Sequence, residues 1–412
     1  MSAVVGYEWA RLPAKWPRVK TRSVLTEVMD PSPDGAEPLF MLSRERGLLP
    51  RADQAGVAQS ATYAGYKRFG TNDLVLNKMQ AWNGVFGLAS APGLISPDYA
   101  VFRLLPNASA DVRFLCYLLR TPVYAGLFAG LSRGMGTGFN RLHPGQLLDV
   151  PLSLPPLNDQ RRIADFLDEQ VALLDRAIDL RRKQTALLVE LLDSRARSLL
   201  VDPEAPLTAG APVRRFVTQV QTGGTPRVDQ GWVWTEDAGI GWYGPGSFSD
   251  RLRLASPPKK VQDAAITQRI VPCFPAGSVL LVGIGATAGR VAFLDHPATG
   301  NQQITALIPA EGIAGRYLAW ALWAHRTLIR TTAPFTTLPI INNDFLRSVR
   351  LPLMDGTRQQ SVVSELDGLA ERVDDVEALH LRSLRLLAER KQALITAAVT
   401  GQFAVTTARS VA

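Results

Sequence analysis

The feature that most limits how this chain can fold is an internal repeat whose second part is a very long helix. Asp149 to Leu157 (DVPLSLPPL) leads into Asn158-Asp159-Gln160-Arg161-Arg162-Ile163. Ser348 to Met354 (SVRLPLM) leads into Thr357-Arg358-Gln359-Gln360-Ser361-Val362. Gln160 matches Gln359, Leu167-Asp168 matches Leu366-Asp367, and Leu187-Leu188 with Glu190 matches Leu386-Leu387 with Glu389, all 199 positions apart. Upstream, Phe69 to Asn77 resembles Phe274 to Val282, and Gly84 stands opposite Gly289, 205 positions on. Several matches in one order indicate a duplication. Two copies are too few for a solenoid and predict a pseudo-two-fold molecule.

Each copy opens with about 150 residues of mixed character. Short β-rich runs such as Leu74-Val75-Leu76 and Val279-Leu280-Leu281-Val282 alternate with Gly, Pro and Asn turns and short apolar helices. Each copy closes on the long helix. From Asp159 to Leu200 there is no Pro or Gly, and Leu167, Val171, Leu174, Ile178, Leu188, Leu192 and Leu199 recur in steps of three and four. Arg181, Thr185 and Arg195 interrupt this seam, and Leu187 and Leu191 widen it. Asn158 or Asp159 is positioned to cap the start. The second helix is expected from about Arg358 to Val399, weakened at Gly368 and ended by Thr400-Gly401. At about 1.5 Å per residue, such a helix is roughly 60 Å long. Neither can bury its stripe alone, so each is expected to cover the other, antiparallel, as a spacer. The alternative is that both are bundle helices of an ordinary core.

At 412 residues the chain exceeds one ordinary core, and its 46% hydrophobic and 20% charged residues are those of a folded protein. No apolar run reaches the ~18 residues of a membrane helix. Met1 to Trp16 carries Glu8, Arg11 and Lys15 and does not read as a signal peptide. Cys116 and Cys273 stand in apolar surroundings and read as buried thiols in a reducing compartment, so a cytoplasmic location is expected. The net charge of +8 suits nucleic acid, and equally any acidic partner.

A search for enzyme chemistry finds little. There is no phosphate-cradling G-x-x-x-x-G-K-[ST] and no N-P-P-[YF] or D-P-P-Y. Gly283 to Gly289 (GIGATAG) imitates a dinucleotide fingerprint, but position 288 is Ala and Val291-Ala292-Phe293-Leu294 reads as another strand, so a glycine-rich hairpin is expected. Glu389-Arg390-Lys391 has nuclease spacing but lies mid-helix, where a solvated face is the simpler reading. His143, His296, His325 and His380 have no acid or nucleophile beside them, and no metal site is expected.

Several motifs in order carry a resemblance: Thr222-Gly223-Gly224-Thr225-Pro226; Gly283 to Arg290 (GIGATAGR) followed by Asn301-Gln302; Pro151 to Leu157 with Gln160-Arg161-Arg162-Ile163; and Ile395 to Phe403 (ITAAVTGQF). Over nearly its whole length the chain resembles the specificity subunit of type I restriction–modification systems. The resemblance implies an α+β fold with two mixed α/β target-recognition domains, at 1–157 and 207–354. Two long antiparallel helices, 158–200 and 357–401, would separate them as a coiled-coil spacer. It implies that the chain reads a bipartite double-stranded DNA site, one domain per half-site, and docks two methylation subunits and restriction subunits. It implies no catalytic residue and no cofactor on this chain; S-adenosylmethionine belongs to the methylation subunits. The first copy departs from the pattern: Val28-Met29-Asp30-Pro31-Ser32-Pro33 stands where the T-G-G-T-P loop belongs, and Lys78 to Gly84 replaces the glycine hairpin. The alternatives are a methyltransferase or nuclease with an unrecognised site, or a coiled-coil adaptor for protein.

On the DNA-reading view, Lys and Arg meet phosphates and base edges give sequence. The candidates in the first domain are Lys67, Arg68, Lys78, Gln80, Asn83, Arg133 and Arg141; in the second they are Arg251, Arg253, Lys259, Lys260, Arg290, Asn342 and Asn343. All lie in turn-rich stretches or at strand ends, and a solvated surface charge is the competing reading for each. Gly134 to Gly138 beside Arg133 is expected to let backbone approach a phosphate. Trp82 and Trp242 are expected in the core, with stacking on a base as the alternative reading.

Overall fold

The computed structural model describes residues 15–51, 62–132, 141–205, 209–227, 229–249, 251–334, 340–403 and 405. The chain divides into two compact units, one made of residues 1–180 and 382–412 and the other of 181–381. Both long helices are present, at Leu157–Leu200 and Gly356–Val399, and each contributes one part to each unit.

The duplication is visible strand by strand. The first unit holds a four-stranded antiparallel sheet in the order Leu25–Val28, Tyr99–Leu104, Leu74–Asn77, Phe86–Leu88. The second repeats it as Val217–Thr222, Ile304–Pro309, Val279–Val282, Val291–Phe293. The two inner strands, such as Val279–Val282, are buried throughout or nearly so, which is why they read as unbroken apolar runs. Apolar helices cover one face, Val112–Leu119 with Pro122–Leu131 in the first unit and Gly315–Thr332 in the second. A small ladder closes each unit beside its long helix: Arg18–Lys20 on Pro151–Ser153, and Ala211–Pro212 on Arg350–Leu351.

Gln160 and Gln359 explain part of the repeated lead-in. Gln160 is fully buried; its Oε1 accepts from the Asp111 amide at 2.9 Å and its Nε2 donates to the Pro155 carbonyl at 2.8 Å. Gln359 does the same with the Ala314 amide at 2.8 Å and the Met354 carbonyl at 2.9 Å. Each amide side chain therefore stitches three chain segments where backbone groups have no water to turn to. Asp168 and Asp367 are matched too: Asp168 takes Tyr117 and Arg113, and Asp367 takes Trp320 and Arg316. Gly84 and Gly289 both adopt positive φ, 67° and 90°, and a Cβ would lie 3.1 Å from the carbonyl oxygen of Arg120, just past the covering helix, in the first and of Arg326, within it, in the second.

Within each unit the two long helices run antiparallel. In the first, Lys391 pairs with Asp175 at 2.6 Å and the Phe166 and Phe403 rings meet at 5.9 Å. In the second, Arg195 pairs with Glu365 at 2.5 Å and Thr185 meets His380 at 2.8 Å, so numbers rise along one helix as they fall along the other. The Arg181 guanidinium only donates, so His380 Nε2 accepts from it; Nδ1 then carries the proton toward Thr185, whose hydroxyl turns to the Arg181 carbonyl. Glu389 and Lys391, spaced like a nuclease motif, lie on a helix, and Lys391 is spent on Asp175.

Burial corrects the seam. Ile163, Ala164 and Leu167 enter the first core, and Leu192, Ala196 and Leu200 the second. Val171, Leu174, Ile178, Leu188 and Leu199 are half-buried, while Leu187 and Leu191, read as widening the seam, are 63% and 53% exposed. A two-helix contact has room for one row of side chains per helix, and the second row is left outside. The first helix also begins earlier than expected: the Pro156 carbonyl accepts from Asp159 and Gln160, so neither Asn158 nor Asp159 is the cap. Asp355 caps the second helix through the Arg358 amide at 2.8 Å.

Among the described residues no single helix is long and apolar enough to cross a membrane. Cys116 is buried, whereas Cys273 is only half so.

Candidate nucleic-acid interface

In the first unit three candidate cations converge on one turn. Lys67 opens the strand Lys67–Phe69, and its Nζ donates to the Tyr99 carbonyl at 2.8 Å. Lys78 follows the strand Leu74–Asn77 and donates to the Pro97 carbonyl at 3.2 Å. Arg141 donates to Asp98 at 3.0 Å. Burial, and then the charge of Lys78, lower the Lys67 pKa, as expected where like charges are brought together. Gln80 is exposed beside them and Asn83 half-buried, at either end of a short 3-10 turn. Trp82 in that turn is 44% exposed, its indole N–H on the Met79 carbonyl at 3.0 Å, so it is a surface ring and not the core residue the sequence suggests. Arg68 has another occupation: a bidentate pair with Asp30 at 2.6 and 3.1 Å. That hydrogen bond holds Asp30 below the usual carboxylate range. Arg133 and the glycines 134–138 lie outside the described residues.

In the second unit the short motifs come together. The Gly223 and Gly224 amides donate to the carbonyls of Ile304 and Gly300 at 2.9 and 2.8 Å. A Cβ on Gly223 would fall 2.3 Å from two carbonyl oxygens, which is why this loop begins with glycine. Thr225 donates to Gln302 at 2.6 Å, and Trp242, half-buried against Trp234, donates to the Gly224 carbonyl at 3.1 Å. Gly283 to Arg290 is a hairpin between strands Val279–Val282 and Val291–Phe293, as its glycines suggest. It meets the same group through Gln303, which donates to the Ile284 carbonyl at 3.4 Å. Asn343 donates to Thr222 at 3.2 Å, while Asn342 is spent capping the helix Asn343–Ser348 through the Phe345 amide. The result is a cluster of amide and hydroxyl side chains, Thr225, Asn301, Gln302, Gln303 and Asn343, of which Thr225 and Gln302 are exposed. Amides of this kind match the paired donor and acceptor of a base edge.

The remaining candidates are dispersed. Lys259 lies over the Trp234 ring at 4.7 Å, and Lys260 donates to the Asp237 carbonyl at 3.2 Å. Arg290 donates to the Phe248 carbonyl at 3.1 Å. Arg251 and Arg253 turn to the second long helix: Arg251 bridges Asp374, at 3.0 Å, and Glu377, and Arg253 meets Asp374 at 2.6 Å. Among the described residues no group of three His, Cys, Asp or Glu side chains is placed to hold a metal ion.

The family described as Type I restriction modification DNA specificity domain matches residues 59–188. The type I restriction enzyme MjaIX specificity subunit of Methanocaldococcus jannaschii is 26% identical over 163 residues. The EcoR124I/EcoR124II specificity subunit of Escherichia coli is 27% identical over 150 residues. Over these stretches the chain is similar to type I specificity subunits. The matched stretches cover 38% and 35% of this chain and 37% of each curated relative. Among solved structures, a chain described under "Structural basis underlying complex assembly and conformational transition of the type I R-M system" is 18% identical, with a TM-score of 0.71 over 95% of this chain and 99% of that one. That likeness shows a shared fold: the two mixed units and two long helices expected from the repeat.

Of the amide cluster, the sequence singled out Asn343 as a candidate contact and passed over Thr225, Asn301, Gln302 and Gln303 as contacts. Thr225 and Asn301-Gln302 entered only within motifs, because uncharged side chains of this kind carry no periodic signal. Only the pairing of strands Val217–Thr222 and Ile304–Pro309 brings them together.

Proposed function

We propose that this chain is the DNA-reading subunit of a type I restriction–modification complex, each unit reading one half of a bipartite double-stranded site. The observation that carries the reading is the duplicated sheet-and-helix unit, with a surface of cations in one copy and of amides in the other, on a chain whose residues 59–188 match the type I DNA specificity domain. Lys67, Lys78 and Arg141 serve as phosphate contacts, and Gln80, Asn83, Thr225 and Gln302 reach toward base edges. Methyl transfer and cleavage belong to partner subunits, two for methylation and others for restriction. S-adenosylmethionine binds to the methylation subunits, and this chain carries no catalytic group.

A genome-wide map of methylated bases, with and without this gene and with the partner subunits expressed, tests the reading. Loss of one bipartite motif with an unread gap is expected, and an unchanged map overturns it. Purified chain incubated with S-adenosylmethionine and DNA should transfer no methyl group; transfer by the chain alone would make it an enzyme instead.

A further inference from the structure

The hairpins over the outer sheet strands differ between the copies at one informative place. In the first unit the strands Phe40–Ser43 and Gly47–Pro50 enclose a turn in which Arg46 precedes Gly47. In the second, Phe248 bridges Leu254, and Arg251 precedes Leu252. Arg46 and Arg251 are 205 positions apart, the offset of the core strands, and each reaches an acid on a long helix of its own unit. Arg46 meets Asp179 at 2.7 Å, with the two side chains 55% and 46% exposed. Arg251 bridges Asp374 and Glu377 and is only 16% exposed, and Arg253 adds a second cation on Asp374.

The following residue sharpens the contrast. Gly47 has φ +73°, a left-handed conformation that costs glycine nothing. Leu252 has φ +37°, where a side chain with a γ-branch is strained. Its side chain is 4% exposed, in the core that also contains Ala370 and Val373 of the long helix. Its carbonyl takes the Phe293 amide at 2.8 Å, which ties the loop to the sheet. Strain of this sort persists only where the surroundings over-determine it, and marks a position whose job needs it.

We propose that Arg251-Leu252-Arg253 is a positioning latch that locks the second reading domain to its long helix before DNA arrives, and that the first copy, with Arg46-Gly47, lacks the plug. Arg251, spent on two helix acids and largely buried, therefore acts through the helix and is not a DNA contact. The latch is a statement about this chain alone; its consequence for DNA rests on the reading proposed above. The consequence is that the latch narrows the range of unread gaps the complex accepts, because a reading domain free to pivot meets its half-site at more than one distance.

Two variants test it in the full chain, Arg251→Gln and Leu252→Gly; the second relieves the backbone strain and removes the plug, so it stays informative if the first fails to fold. Hydrogen exchange at residues 249–255 reads the latch. The Ser249 and Ala255 amides, bonded to Arg253 and Ser247 carbonyls, should exchange about tenfold faster in either variant. Unchanged exchange overturns the latch whatever the DNA result. Methylation by the assembled complex on duplexes with the native gap and with one base pair more or fewer reads the consequence. The preference for the native gap should fall about tenfold in the variants, with both half-site sequences still required. Faster exchange with an undiminished gap preference overturns the positioning role. Absence of bipartite methylation by the wild-type complex would sink the DNA reading and leave the exchange result to decide the latch.

Discussion

The residues most tightly specified by this fold are polar ones in dry places. Gln160 and Gln359 each satisfy an amide and a carbonyl that water cannot reach, so Gln160→Ala and Gln359→Ala should each cost about 2 kcal/mol in urea unfolding. A cost near zero for both would mean that their partners find other bonds. The same dryness governs the weak acids. Burial raises the pKa of the Cys116 thiol and of the Tyr124 hydroxyl. A raised folded-state value is stability held below the unfolded-state pKa and lost as pH rises past it. The unfolding midpoint should therefore stay level through neutrality and fall above about pH 8.5 to 10, where free thiols and phenols ionise. A midpoint that climbs over that range would contradict the assignment. Both glutamines were legible as a repeat, since they stand at one offset. What they do was not, because the groups they satisfy, the Asp111 and Ala314 amides, lie 45 or more residues away in sequence.

At the scale of elements, the long helices were legible because apolar steps of three and four recur along some forty residues that hold no proline, in spite of the interruptions at Arg181, Thr185 and Arg195. Which leucines are buried was not. Leu192 is fully buried and Leu187 is 63% exposed, although both fall in the same apolar run. Leu192→Ala should cost about 3 kcal/mol. Leu187→Ala should stay within roughly 0.5 kcal/mol in the isolated chain. Equal costs would show that the two helices cover more of each other than the burial indicates. Gly368 lies inside the second long helix, where a Cβ meets nothing nearer than the Arg372 guanidinium at 3.5 Å. Gly368→Ala should add up to about 1 kcal/mol to the unfolding free energy, and a loss would reveal a neighbour that needs the space. The glycine hairpin Gly283 to Arg290 was readable by elimination, since apolar runs flank it on both sides. The first copy's Lys78 to Gly84 turn was readable only by its offset, since its residues share little beyond Gly84 with that hairpin.

At the scale of the whole molecule, two similar units on one chain predict that specificity is divisible. Replacing residues 209–349 with the matching segment of a family member of different specificity should change one half of the methylated motif and preserve the other. A change in both halves, read from methylation maps, would mean that the units do not read separately. The division itself departs from a simple reading of the repeat. The sequence suggests globular domains alternating with helices, whereas each compact unit takes part of both helices. Sequence order cannot show this, since 157–180 and 382–399 become neighbours only when the chain has folded back.

What the sequence determined by itself was the repeat, the two long helices and the alternation of buried strands with turns. These are written in local periodicity and in offsets between distant copies. Tertiary structure alone decided which candidate cations face a common turn, which amides gather beside Thr225, and that Arg251 leaves the surface for Asp374 and Glu377. The physical reason is that a charge or an amide has no period. Its meaning lies in the partner that folding brings within about 3 Å of it, and that partner stands a hundred residues away as often as three.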